Sequence, residues 1–195
     1  MAGSSTADPA AFYFDFASPQ SYLVAERILR RLPIACQWRP VCAAQLSGGV
    51  GFGAWRCAEE RDIYLQHFEQ RAARQGLQPV RWPAELPLDS DCALLAATYA
   101  ASIGRAVAFA QAAFRQIYAG GRDLAVLENV LIAAAACEMH PAAVLKAVQL
   151  RSVGDALAAA TQEAAARGVT TVPAIWTAGA VHYGDAGLDA AAAAL

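Results

Sequence analysis

Cys-x-x-Cys is missing from this chain. Its five cysteines, Cys36, Cys42, Cys57, Cys92 and Cys137, are odd in number and scattered. That distribution argues against a disulfide framework and against zinc, and each reads as a buried, unreactive thiol. The histidines His67, His140 and His182 lack the paired helical spacing of a metalloprotease, and no carboxylate cluster accompanies them, so no metal is assigned. Charge is scarce too. Charged residues make up 16% of the chain, net charge is −2, and no Lys/Arg cluster stands out, so nucleic acid and anionic membranes are poor partners. No apolar run reaches the ~18 residues of a membrane span. Residues 1–10 have neither a basic flank nor an apolar core, so they do not read as a signal peptide, and they are expected to be flexible. The expectation is a soluble, cytoplasmic protein.

What is present is apolar. At 195 residues and 57% hydrophobic, the chain can bury a sizeable core as one domain, or as one domain carrying an insertion. The stretch Phe12-Tyr13-Phe14-Asp15-Phe16-Ala17-Ser18-Pro19-Gln20-Ser21-Tyr22-Leu23 reads as a strand feeding a helix. Ser18 takes the N-cap position and Pro19 the first helical position. Such a junction aims free amides and the positive end of a helix at whatever lies beside Ser18. Tyr22, Ala25, Leu29 and Leu32 continue the helical stripe, and 34–39 reads as a second strand stopped by Pro40, completing a β-α-β unit. From 41 to about 151 no strand is expected. Helices are predicted over 59–75, from Ser90 to 104, and over 106–119, 124–138, 142–150 and 153–167. The glycine-rich segment 47–53 lacks a P-loop lysine and a strand-to-helix context, which excludes nucleotide binding. Residues 169–177 read as a strand, Ala178-Gly179 as a turn, 180–183 as its hairpin partner, and 185–195 as a closing helix.

That order, a helical block inside a split sheet, looks like an α/β thioredoxin-like fold with an inserted all-helical domain. The expected division is 11–42 with 152–195 for the thioredoxin-like part and 43–151 for the insertion. The residues resemble the family of 2-hydroxychromene-2-carboxylate isomerases and kappa-class glutathione transferases, relatives of DsbA-type oxidoreductases. The resemblance rests on residues 12–23, on Gly168-Val169-Thr170-Thr171-Val172-Pro173 and on Tyr183-Gly184, with weaker matches at Trp38-Arg39-Pro40, Gly48-Gly49 and 120–124. Where redox relatives carry Cys-x-x-Cys, this chain has Ser18-Pro19-Gln20-Ser21, and two serines cannot exchange disulfides.

The resemblance implies instead that glutathione binds with its sulfur at the helix N-terminus. Ser18 would then donate a hydrogen bond to the thiolate, which a helix N-terminus also favours. It implies a cis Val172–Pro173 bond, with Val172 pairing to the glutathione backbone. Arg61 would bind glutathione by pairing with its glycyl carboxylate, or simply be a solvated helix residue. The family's Gly-Gln-Asp-Arg-Leu after the hairpin appears here as Gly184-Asp185-Ala186-Gly187-Leu188. Asp185 would substitute for the lost polar groups, or only cap the last helix. Each charge-assisted bond lost removes ~1.5–3 kcal/mol. Trp55, Trp82 and Trp176 would wall an aromatic pocket, or serve as core.

The implied activity is glutathione-dependent cis–trans isomerisation of a small aromatic or unsaturated carboxylate, in a possible homodimer. The alternatives are a kappa-like glutathione transferase and a non-catalytic binding module that no longer holds glutathione tightly. A serine hydrolase is disfavoured, because Ala17-Ser18-Pro19 is no nucleophile elbow and no base is placed beside it.

Overall fold

The computed structural model describes residues 9–195, so most of the amino-terminal stretch expected to be flexible lies outside the described residues. Strand β1, Ala10–Phe14, runs into helix α1, Pro19–Arg31, and the chain returns as β2, Cys36–Pro40. A single 3₁₀ turn at Ala43–Gln45 precedes six helices: α2 (Ala58–Arg74), α3 (Asp91–Ser102), α4 (Ala106–Tyr118), α5 (Leu127–Ala135), α6 (Pro141–Ala147) and α7 (Arg151–Ala166). The hairpin β3 (Ala174–Thr177) and β4 (Ala180–Tyr183) and the helix α8 (Gly184–Ala193) close the chain.

The four strands form one mixed sheet in the order β2-β1-β3-β4. β1 and β2 are parallel, whereas β3 is antiparallel to both β1 and β4. The register sets one row of Trp38, Phe12, Ile175 and His182 across the sheet, and the next row of Arg39, Tyr13, Ala174 and Tyr183 on the opposite face. The first face belongs to the larger core. There Phe14 stacks with Phe12 at 5.4 Å and meets Phe16 at 5.4 Å and Phe114 of α4 at 5.7 Å. The second face packs Ala11, Tyr13 and Ala174 with Ala164 of α7, Val169 and Val172. β1 is buried on both faces, which its continuous apolar run requires.

Several predicted boundaries move. β3 begins at Ala174 and not at 169, because residues 168–173 spend their polar groups on neighbouring loops (below) and Pro173 has no N–H for a ladder. β2 extends to Pro40, which is tolerated at a sheet edge. α5 starts at Leu127 because Asp123 turns the chain before it, accepting from the Ala125 amide at 2.9 Å. α6 is shortened to end at Ala147, and α7 begins at Arg151.

Ser18 and Ser90 occupy N-cap positions as expected, but neither hydroxyl bonds its own helix. Tyr183 precedes α8, and Asp185 lies inside its first turn, so the capping role considered for Asp185 is not the one it plays.

Candidate functional site at the start of the first helix

β1 and α1 are joined by a tight turn. The Ser18 amide donates to the Asp15 carbonyl at 3.1 Å, and the Ser21 amide donates to the Ser18 carbonyl at 3.0 Å. Pro19 has no amide proton, so the first free donor of the helix is that of Gln20. The Ser18 hydroxyl donates to the Val172 carbonyl at 3.5 Å, the outer limit of a hydrogen bond and a weak one. The Val172–Pro173 bond is cis. Ser18, Val172 and Pro173 are therefore brought together from residues 154 apart in sequence. Ser18 is only 1% exposed, so a ligand reaches its hydroxyl only when the lining opens.

The loop opposite Ser18 is pinned from two sides. The Gly48 amide donates to the Thr170 carbonyl at 2.7 Å, and the Thr171 hydroxyl donates to the Gly49 carbonyl at 2.8 Å. The Tyr183 hydroxyl accepts from the Thr170 amide at 3.0 Å and donates to the Gly168 carbonyl at 3.0 Å. A methyl group at position 48 would sit 2.8 Å from the Thr170 oxygen, so only glycine allows this approach. The Gly48-Gly49, 168–173 and Tyr183-Gly184 motifs are thus one structural unit around the cis peptide.

Ser21 is 0% exposed and its hydroxyl has no partner among the described residues. An unpaired buried hydroxyl costs about 1–3 kcal/mol. Ser21→Ala is therefore expected to leave stability unchanged or raise it by up to about 2 kcal/mol in chemical denaturation. A loss of more than about 1 kcal/mol would mean that the hydroxyl is bonded in solution.

The other anticipated residues disperse. Arg61 on α2 is exposed and pairs with its neighbour Asp62 at 2.9 Å. It lines a cavity of about 560 Å³ with Leu65, Trp82, Pro83 and Leu86. The link from α2 to the junction is Tyr64, whose hydroxyl accepts from Gln20 Nε2 at 3.1 Å. Phe52 gathers an aromatic wall there, with Trp55 at 4.9 Å, Tyr64 at 5.5 Å and Trp82 at 6.0 Å. Trp176 is not part of it: on the other face of the sheet it carries the Arg167 guanidinium at 4.4 Å.

Asp185 is fully engaged. It accepts from Arg27 at 2.9 Å, Arg71 at 2.7 Å and Gln75 at 2.9 Å, tying α8 to α1 and α2. Gly187 packs so closely that a methyl group there would lie 2.6 Å from the His182 carbonyl carbon, so no side chain fits this turn.

Sequence reasoning passed over Asp15. Its carboxylate is 2% exposed and accepts from the Ala17 and Ala43 amides, each at 2.9 Å, and from the Ser90 hydroxyl at 2.6 Å. Burial pushes its pKa up, and these hydrogen bonds oppose the shift. The available signal was a lone carboxylate inside an otherwise aromatic run. Among the described residues, no three His, Cys, Asp or Glu side chains gather as a metal site, and no helix is long and apolar enough to cross a membrane.

This architecture is a thioredoxin-like α/β fold in which a helical block separates the β-α-β half from the closing hairpin and helix. The chain belongs to the DsbA-like thioredoxin domain family, whose pattern matches residues 11–195. Among solved structures it resembles a 2-hydroxychromene-2-carboxylate isomerase at TM-score 0.75 and 17% identity, over 91% of this chain and 89% of that one. It also resembles the cytosolic disulfide reductase DsbM from Pseudomonas aeruginosa at TM-score 0.64 and 15% identity, over 92% and 90% of the two chains. A putative protein disulfide isomerase from Nitrosomonas europaea matches at TM-score 0.64 and 18% identity, over 91% and 87%. At these identities the likeness is one of fold. No curated protein matches the chain in sequence.

Proposed function

We propose that this protein is a glutathione-dependent isomerase of small unsaturated or aromatic carboxylates. One observation carries the reading. A serine hydroxyl, and no thiol, stands at the start of α1 against the carbonyl of Val172. Disulfide exchange at this place has no sulfur to use. The hydroxyl, the Gln20 amide and the helix N-terminus together suit a thiolate brought by another molecule. The fold resemblance to a 2-hydroxychromene-2-carboxylate isomerase, and to DsbM solved with GSH, supports the same choice.

The residues present fit the sulfur end of glutathione. Ser18 would give up its weak 3.5 Å bond to Val172 and donate to the sulfur, and the Val172 backbone would pair with the ligand's peptide. Bound glutathione would supply a thiolate that adds reversibly to a conjugated double bond, leaving a rotatable single bond until elimination. Tyr64, held by Gln20, and the Phe52–Trp55–Trp82 wall would orient an aromatic substrate, with Arg61 meeting its carboxylate.

A second reading, a module without tight glutathione binding, is favoured by Asp185, whose oxygens are already taken by Arg27, Arg71 and Gln75. The discriminating measurement is thermal unfolding of wild type and Ser18→Ala with glutathione. Saturation at about 100 times Kd stabilises wild type by about 2.7 kcal/mol, and Ser18→Ala is expected to lose most of that gain. Identical, unshifted curves would establish the second reading. If glutathione binds, isomerisation of a chromene carboxylate without conjugate formation separates the isomerase from a kappa-like transferase.

A further inference from the structure

We propose that Asp15 and Ser90 act as positioning residues for Ser18. Asp15 ends β1, and its carbonyl receives the Ser18 amide at 3.1 Å, so the turn holding Ser18 is built on Asp15. The side chain of Asp15 reaches three segments at once. Its Oδ1 takes the Ala17 amide and the Ser90 hydroxyl at 2.9 and 2.6 Å, and its Oδ2 takes the Ala43 amide at 2.9 Å. These are the junction itself, the chain after β2, and the start of α3 in the helical block.

Ser90 stands at the N-cap of α3 yet gives its hydroxyl to Asp15 and none to its own helix. A cap is worth about 1 kcal/mol to a helix. Forgoing it makes sense where a buried carboxylate needs every donor it can find. The bond from Ser18 to Val172 is too long to set the place of Ser18, so the turn decides it, and the Asp15–Ser90 pair decides the turn. The Ser90 hydroxyl thereby joins Tyr64 and Tyr118 in connecting the helical block to the amino end of α1, and of the three it alone reaches Asp15.

The purpose assigned to this device rests on the reading that the start of α1 holds sulfur, but its test needs no glutathione. Ser18→Cys places a reporter thiol at the junction, and its thiolate absorbance is titrated as a difference against the parent chain. The midpoint is expected below the free-cysteine value of about 8.5. Adding Ser90→Ala should raise it by about one unit, a tenfold loss of thiolate over thiol, as the helix end ceases to face the sulfur. Ser90→Thr keeps the hydroxyl and should leave the midpoint unmoved. Ser90→Gly keeps a residue suited to starting a helix and should behave like Ser90→Ala, which covers poor folding of the alanine variant.

An unmoved midpoint in the alanine and glycine variants overturns the proposal. So does a lowered one, because Ser90 would then be acting on the charge of Asp15 and not on position. A shift in Ser90→Thr equal to that in Ser90→Ala overturns it as well. Failure of wild type to bind glutathione sinks the isomerase reading and leaves the reporter comparison intact.

Discussion

Phe14→Ala is expected to destabilise the protein by about 3–5 kcal/mol, seen as a fall in thermal midpoint of about 6–20 °C. Phe14 is 0% exposed and stands at the end of β1, where the sheet meets the helical block. Its ring contacts Phe12 and Phe16 at 5.4 Å, Phe114 at 5.7 Å and Trp38 at 6.0 Å. These neighbours cannot collapse into the space it leaves, because each is fixed by a different element. Phe12 and Trp38 belong to paired strands, and Phe114 to α4, which is itself held by the Tyr118 hydroxyl donating to the Phe16 carbonyl at 2.7 Å. The residual cavity therefore adds to the lost transfer energy. Phe14→Leu, which refills most of the volume, should recover more than half of the loss. A cost below about 1 kcal/mol for Phe14→Ala would show that sheet and helical block are far less tightly joined than the ring distances imply.

Ser18→Cys combined with Ser21→Cys is expected to turn a junction that carries no thiol into the site of a disulfide reductase. The scaffold around the two positions is complete. α1 supplies a helix N-terminus, which lowers a thiol pKa. The Ser21 amide lies 3.0 Å from the Ser18 carbonyl, so the two side chains start within one turn of each other. Position 21 is fully buried with its hydroxyl unpaired, an environment that suits a sulfur better than an oxygen. Across from them lies Val172, whose carbonyl takes the Ser18 hydroxyl at 3.5 Å. Insulin reduction with dithiothreitol is the assay: the parent chain should stay at the background rate and the double variant should exceed it at least tenfold. Either single variant should fall short, because a mixed disulfide needs a second thiol to resolve it. A double variant that folds but stays at background would mean that the closed lining over residue 18, only 1% exposed, bars a protein substrate whatever atom stands there.

The parts of the molecule that these two sets of variants probe differ in how far local sequence specifies them. The junction at residues 12–23 is local. An aromatic run, a serine, a proline and a helical stripe dictate backbone torsions over a few residues, and the strand, turn and helix form where those torsions allow. The hairpin of β3 and β4 is local in the same sense, and its second strand, Ala180–Tyr183, matches its expected limits. The lack of thiols at the junction is a matter of composition alone. Each of these needed no knowledge of what lies across the fold.

What the hydroxyls and carboxylates do is another matter, because a polar side chain serves the partner that tertiary packing brings to it. Ser18 and Ser90 have the spacing of helix caps, yet Val172 and Asp15 take their hydroxyls. Asp185 has the spacing of a cap or a ligand residue, yet Arg27 and Arg71 reach it from two other helices. Trp176 shares its residue type with Trp55 and Trp82, but strand alternation turns it to the opposite face, under Arg167. Gly187 reads in the sequence only as a lost polar group, and the closeness of β4 explains the glycine. By itself, then, the sequence determined the strand–turn–helix at residues 12–23 and the chemistry excluded there, because torsions and composition are local properties. Tertiary structure alone decided that Asp15 and Ser90 hold that turn, because their hydrogen bond joins residues 75 positions apart and forms only when the helical block closes over the sheet.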